Sequence, residues 1–184
     1  MILLFILLTL LVSPVQAQVL GLYADAECTE CNLNVASGSS AEFYVGINTQ
    51  GDDLTDLCGG SFRITGFPED WVAGTAMPTA FVGSFSGNPL VEGIFFSPAA
   101  PLAGNCIPLF RIPLFATSAS EHMFSIEAHT MAPPQQSCPQ LSLSRNMCHA
   151  SCVPVEPLRV NSATSCVVAA EQSTWSSIKK LYNH

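Results

Sequence analysis

Apolar and polar residues alternate with a period of two along much of the chain. The clearest stretch runs from Phe110 to Thr130. Phe110, Ile112, Leu114 and Ala116 alternate there with Arg111, Pro113, Phe115 and Thr117. Beyond the polar loop Ser118-Ala119-Ser120-Glu121, Phe124, Ile126 and Ala128 alternate with Ser125, Glu127 and His129. Successive side chains of a strand point to opposite faces, so each run has a buried face and a wetter one. A four-residue turn between two such runs predicts a β-hairpin whose apolar face other segments must cover. His129, on the wetter face, is expected to be exposed. Pro113 lacks a ladder donor, which predicts an edge position or a bulge there.

The same pattern places strands at Gln18 to Tyr23, Cys31 to Ala36, Ala41 to Ile47, Ser61 to Phe67 and Leu90 to Ser97. Gly, Pro, Asn and Ser punctuate the gaps between them. Phe43, Val45 and Ile47 share one face, as do Phe62 and Ile64, with Arg63 outward. Trp71 and Val72 are expected to fold back over one end of the core. After a Pro-rich link at 132–136, short strands are predicted at Leu141–Leu143, Val153–Val155, Leu158–Val160 and Cys166–Ala169. From Ser173 to Tyr182 the period changes. Trp175, Ile178, Leu181 and Tyr182 fall on one helical face, capped by Ser173 or Thr174. The expected organisation is an all-β antiparallel sandwich of about seven to nine strands over 18–131. A Cys-rich β extension at 132–172 packs on it, and a short amphipathic helix at 173–184 docks against it.

Residues 1–17 stand apart. Ile2 to Val12 is a continuous apolar run, broken by Ser13-Pro14, and Val15-Gln16-Ala17 has the small residues that signal peptidase needs. This reads as a secretory signal peptide cleaved before Gln18, although its first residues carry no Lys or Arg. The run is short for a membrane span, so no span is expected after cleavage. The remaining chain then works outside the cell or in the periplasm. A net charge of −8 with six basic residues excludes nucleic acid as a partner, because such binding rests on neutralised phosphates. Anionic membrane surfaces are excluded for the same reason.

All eight cysteines follow the leader: Cys28, Cys31, Cys58, Cys106, Cys138, Cys148, Cys152 and Cys166. An even count in an exported chain reads as up to four disulfides, with about 105 connectivities open. The one pairing that the pattern suggests is Cys152–Cys166, stapling two short strands around a turn at Asn161-Ser162.

Several short motifs together resemble a family of uncharacterised secreted bacterial proteins. They are Leu20-Gly21-Leu22-Tyr23, Ser61-Phe62-Arg63-Ile64 with Gly66-Phe67-Pro68 and Trp71, and Gly87-Asn88-Pro89-Leu90. Leu114-Phe115-Ala116-Thr117-Ser118, Cys138-Pro139, Cys152-Val153 and the terminal Thr174-Trp175 with Lys179, Leu181 and Tyr182 complete the set. Their order runs the length of the exported chain, with a departure at Asn146-Met147. The resemblance implies export and a common fold, and brings no activity. The middle of the chain is also similar to cohesin- and immunoglobulin-like sandwiches, which implies that architecture and transfers no function.

Candidate chemistry is sparse. Cys28-Thr29-Glu30-Cys31 has C-x-x-C spacing, but a redox pair needs a lowered thiol pKa, and Glu27 and Glu30 act the other way. With Cys148 and Cys152 it offers a four-thiolate zinc site, against which oxidation during export competes. Asp52, Asp53 and Asp56 offer oxygen ligands for Ca²⁺ without the EF-hand spacing, so a solvated acidic loop is the expectation. Gly83-Ser84-Phe85-Ser86-Gly87 has Phe where a nucleophile elbow needs Ser. His122, His129, His149 and His184 lack partners at a catalytic spacing. Glu121 with Glu127, or Glu69 with Asp70, would serve a glycosidase only at the right separation in space. Trp71 and Trp175 are expected to pack rather than to stack on sugars.

No catalytic residue and no cofactor is assigned from the sequence. The reading is an exported, non-catalytic binding or structural module for an extracellular protein or glycan. The rival is an exported enzyme on glycans, a Ca²⁺-assisted hydrolase or lyase. The ligand and the oligomeric state do not follow from the sequence.

Overall fold

The computed structural model describes residues 18–49, 54–100, 102–132, 137–143 and 148–164. In chain order its strands are β1 (Val19–Tyr23), β2 (Asn32–Leu33), β3 (Ser39–Asn48), β4 (Leu57–Thr65), β5 (Val72–Ala73), β6 (Met77–Pro78) and β7 (Val82–Asn88). They continue with β8 (Gly93–Pro98), β9 (Cys106–Ala116), β10 (His122–Glu127), β11 (Gln140–Leu143), β12 (Ala150–Cys152), β13 (Val155–Glu156) and β14 (Leu158–Val160). One sheet runs β13-β1-β3-β9-β5, with β6 also on β9. The other runs β12-β11-β4-β10-β14-β2, and the β7–β8 hairpin pairs with the opposite edge of β4. The fold is the all-β sandwich that the alternation predicts. Its strands outnumber the expected ones because β2, β5, β6 and β13 have two residues each, too few to leave a period. The terminal helix, the strand at Cys166–Ala169 and Trp175 lie outside the described residues.

The Phe110–Thr130 stretch is not a hairpin. β9 pairs with β3, β5 and β6 in the first sheet, whereas β10 pairs with β4 and β14 in the second. The loop at 117–121 carries the chain across the sandwich. Both runs bury the apolar faces that the alternation assigns, with Ile112, Leu114 and Ala116 opposite Phe124 and Ile126. Alternation reports which face of a strand is buried and is silent on which edge is paired. Two amphipathic strands joined by a short loop therefore satisfy it as well by facing each other as by lying side by side.

Pro113 is not on an edge strand either. Its carbonyl accepts the Gly74 N–H on the β5–β6 side of β9, and the missing N–H falls in the gap between those two short strands. The bulge on β9 sits earlier. Val45 opposes Phe110 and Gly46 opposes Pro108, so Leu109 is the extra residue. That insertion allows Leu109 and Phe110, adjacent in sequence, both to be buried.

One core fills the space between the sheets. Leu20, Leu22, Phe43, Val45 and Ile47 enter from one side, and Phe62, Ile64, Ile94, Phe96 and Phe124 from the other. Burial of each such side chain contributes roughly 1.5–3 kcal/mol. Trp71 closes one end as expected, whereas Val72, expected to join it there, is 60% exposed on β5 because its neighbour Trp71 takes the inward side. Trp71 packs edge-on against Phe67, His122 and Phe124, and its Nε1–H donates to Ser118 Oγ at 3.0 Å.

The strands between 140 and 160 are divided over both sheets. β11 pairs with β4, β13 lies parallel to β1, and β14 joins β10 to β2. Bridges Cys28–Cys106, Cys58–Cys148 and Cys138–Cys152 tie this region and the 24–31 loop down. Cys31 is also disulfide-bonded. The expected Cys152–Cys166 staple is not formed. Cys152 stands opposite Gln140 in the β11–β12 pair, which brings it to Cys138 two residues before Gln140. The turn at Asn161-Ser162 follows β14 instead, on a different strand. A thiol count on the denatured, metal-stripped protein is expected to find no free thiol among these seven cysteines. Peptide mapping should recover the three named bridges, and a Cys152–Cys166 peptide would contradict this connectivity.

Candidate functional site

On β4, residues 62 and 64 point into the core, so Gly59, Ser61, Arg63 and Thr65 lie on the outer face. The register builds rows across that face. Ser86, Phe95, Ser61 and Gln140 stand side by side on β7, β8, β4 and β11. In the next row are Ser97 and Ser84, whose hydroxyls are 2.8 Å apart, and Ser142 opposite Gly59. On the other side of Ser61, Arg63 Nη2 donates to Glu127 Oε2 of the facing strand at 2.6 Å. The result is a serine-rich surface carrying one exposed aromatic ring, Phe95, and one neutralised ion pair.

A strap crosses this face. β10 and β8 lie on opposite edges of β4, yet Thr130 donates both its N–H and its hydroxyl to the Glu92 carbonyl. Residues 128–130 must therefore pass over β4. Under the strap lies His129, only 4% exposed, with its ring centroid 4.1 Å from that of Phe95. The Met131 N–H donates to His129 Nδ1 at 3.0 Å. His129 is thus buried, contrary to its expected exposure. Alternation places it correctly on the outer face, but the chain folds back over that face beyond β10. Gly93 makes room for it. Its φ is +111°, and a Cβ there would sit 2.6 Å from His129 Cδ2 and 2.7 Å from the Phe62 carbonyl. Around the strap Val91, Phe95 and Met131 are 63%, 44% and 78% exposed.

Clefts open to solvent among the described residues include the following three. One of about 300 Å³ lies over Gly59 and Gly60 between Phe95 and β11, closed at one end by Cys58–Cys148. A second, of about 250 Å³, lies on the other side of Phe95 among Ser84, Ser86 and Ser97. The third, of about 200 Å³, is bounded by 73–76 and 85–90. No acidic, basic or histidine side chain among the described residues lines any of them.

The most perturbed ionisable group lies on the first sheet. Tyr23 lies over Gly21, its hydroxyl donating to Glu156 Oε2 at 3.2 Å, and the Cys28–Cys106 bridge packs beside it over Gly46. Burial first, then the charge and hydrogen bond of Glu156, push its phenol far above the ordinary range. The ring is fully enclosed. It is therefore a structural clip between β1 and the parallel β13 rather than a reactive group.

The residues singled out from the sequence separate in space. Cys28, Cys31, Cys148 and Cys152 do not form a zinc site: all four are oxidised, and Cys28, Cys148 and Cys152 pair with Cys106, Cys58 and Cys138. Strand register instead sets Cys152 beside Cys138 in the β11–β12 pair, and Cys148 reaches Cys58 on β4. Asp52 and Asp53 lie outside the described residues. Asp56 follows them in the turn before β4, and no cluster of three or more metal-ligating side chains occurs among the described residues. Gly83-Ser84-Phe85-Ser86-Gly87 is strand β7. Glu127 is held by Arg63, Glu121 accepts from Ser162 Oγ, and Asp70 accepts from Thr117 Oγ1, and none of these carboxylates or Glu69 lines any of the three clefts. Sequence reasoning missed Ser61, Phe95, Gln140 and the strap. Their one legible signal was that Phe95 breaks the inward–outward order between Ile94 and Phe96.

No protein-family model matches the chain, and no curated protein matches it. Solved structures do. A type I cohesin from Clostridium thermocellum, in complex with a dockerin, superposes with a TM-score of 0.56 at 12% identity, covering 78% of this chain and 97% of that one. A type II cohesin domain from the cellulosome of Acetivibrio cellulolyticus gives 0.53 at 12% identity, covering 79% and 95%. A non-cellulosomal cohesin from the archaeon Archaeoglobus fulgidus gives 0.50 at 10% identity, covering 91% and 99%. The fold is cohesin-like, as the resemblance in the middle of the chain implied.

Two outcomes test this geometry. Gly93→Ala is expected to cost about 1–3 kcal/mol in urea unfolding, since it meets both a strained φ and two close neighbours. An unchanged midpoint would mean that His129 does not occupy the space over Gly93. For Tyr23 the sign follows from its raised pKa. The unfolded phenol ionises near pH 10 and the folded one later. The stability carried by the neutral group is therefore whole below about pH 10 and is lost above it, at up to about 1.4 kcal/mol per pH unit. Tyr23→Phe should lack that decline in urea midpoints taken from about pH 9 to about pH 11. Parallel profiles for the two proteins would refute the enclosed Tyr23–Glu156 pair.

Proposed function

We propose that the protein is an exported, non-catalytic module that binds an extracellular protein partner through the apolar patch around the 128–132 strap. The observation that carries this reading is the exposure of Val91, Phe95 and Met131 around a buried, hydrogen-bonded His129. Exposed apolar side chains gathered on a rigid scaffold are the usual sign of an interaction surface, and aromatic residues and Met are enriched there. Cohesin neighbours solved together with dockerins support a protein as the partner class. Export follows from the leader read at 1–17, and the disulfides fit an oxidising compartment. The glycan-enzyme reading needs converging carboxylates beside a cleft. Glu121 and Glu127 are instead engaged by Ser162 and Arg63.

A photo-crosslinking residue at position 91, with position 72 on the opposite sheet as control, tests the face directly. Incubated with the extracellular fraction of its source cells, the position-91 protein should form a discrete adduct that position 72 does not form. Met131→Asp should remove it. The absence of any adduct from position 91, or the same adduct from both positions, would overturn the reading.

A further inference from the structure

We infer that the cleft over Gly59 is a binding site for a neutral sugar ring, separate from the apolar patch. Its construction follows from register. Ser61, Phe95 and Gln140 share one row of the outer face, and Ser142 stands opposite Gly59 in the next. Gly59 contributes no side chain, and none fits, because a Cβ there would lie 2.4 Å from the Phe96 carbonyl oxygen. The row is therefore interrupted by a trough of about 300 Å³ whose floor is backbone. Close strand approach accounts for the glycine alone. It does not account for the polar groups around it.

Ser61 is 6% exposed and Gln140 7%, and both line the trough. Neither side chain meets a hydrogen-bond partner among the described residues. Their polar atoms are not sealed in the interior, where Asn32 Oδ1 and Arg63 Nε are the unpaired ones among the described residues; they open into the trough, so two side chains that the fold itself leaves unused are available there to a ligand or water. A carboxamide supplies two donors and an acceptor, and each serine hydroxyl donates one bond and accepts others. Ser61, Gln140 and Ser142 thus offer donors and acceptors together. Vicinal sugar hydroxyls, which also donate and accept at once, match that set. A phosphate or carboxylate would leave the acceptors idle and would lose its hydration without a counter-charge, since no charged side chain among the described residues lines the trough. Phe95 supplies the apolar wall against which the C–H face of a pyranose can lie. Its ring is held from behind by His129, 4.1 Å away between centroids, so it is pre-set rather than ordered on binding.

The test is protein-detected NMR on the intact oxidised protein, titrated with a panel of neutral methyl hexosides and with a methyl glucuronide as the charged control. At least one neutral hexoside should shift the amides of Gly59, Gly60, Ser61, Phe95 and Gln140, with a Kd of roughly 1 mM, as befits one ring in a shallow cleft. Phe95→Ala and Ser142→Ala, both at exposed or half-buried positions, and Gln140→Leu at a buried one, should each weaken binding about tenfold. Met131→Asp should leave it unchanged, which separates this site from the protein-binding patch. If no hexoside moves these amides, if the shifts gather elsewhere, or if the glucuronide binds more tightly than every neutral sugar, the assignment is wrong.

Discussion

The ladder between β3 and β9 holds this sandwich in register. Ten positions pair without a gap in β3, from Ser39 opposite Ala116 to Asn48 opposite Cys106, with Leu109 bulged out on β9. A slip by one residue would turn Phe43, Val45 and Ile47 from the core to solvent, so the apolar pattern and the hydrogen bonds enforce the same alignment. β1 builds on one edge of this pair, and β5 and β6 build on the other. Once Ile112 and Leu114 face inward, the chain leaving Ala116 has an apolar layer to cover. Phe124 covers it across the sandwich, 5.5 Å from Phe43 between ring centroids.

The edges of the structure are held by other means. β2, β12, β13 and β14 have two or three residues each, and so short a strand carries little pairing energy. Covalent bridges and enclosed polar contacts supplement it. Cys138–Cys152 closes the open end of the β11–β12 pair, Cys58–Cys148 ties its turn end to β4, and Tyr23 reaches Glu156 on β13. Asn161, in the left-handed region at φ 53°, accepts the Val35 N–H and so fastens the chain beyond β14 to that beyond β2. Each disulfide contributes typically about 2–4 kcal/mol, a large share of a small domain's stability.

The two outer faces differ for a physical reason. On the first sheet the 24–31 loop, Tyr23 and the Cys28–Cys106 bridge fill the space over Gly21 and Gly46, and that area is closed. On the second sheet the strap covers His129 and leaves Phe95 as a ridge between two serine-lined clefts. Val72, Met77, Phe115 and Val155 are exposed on the first sheet as well, but the apolar rim of the strap and the unpaired Ser61 and Gln140 side chains meet on the second. The protein-binding patch and the sugar cleft are proposed there because recognition needs surface groups that the fold itself has not used.

By itself the sequence determined the class of fold and the buried face of each long strand. Period two is written locally, and Phe43, Phe62, Ile112 and Phe124 are all inside as it requires. It also placed Trp71 at the end of the core and marked the cysteines as oxidised. Tertiary structure decided which edges pair, because facing strands and adjacent strands leave the same alternation. That is why the 110–130 hairpin proved to be a crossing between sheets and why Cys152 bonds Cys138. It also decided the site. Ser61, Phe95 and Gln140 are more than thirty residues apart in sequence and become neighbours only through the register of β8, β4 and β11. His129 is buried only because the chain beyond β10 turns back over β4 to reach Glu92. No local pattern encodes such a meeting, since it depends on where distant strands find their partners.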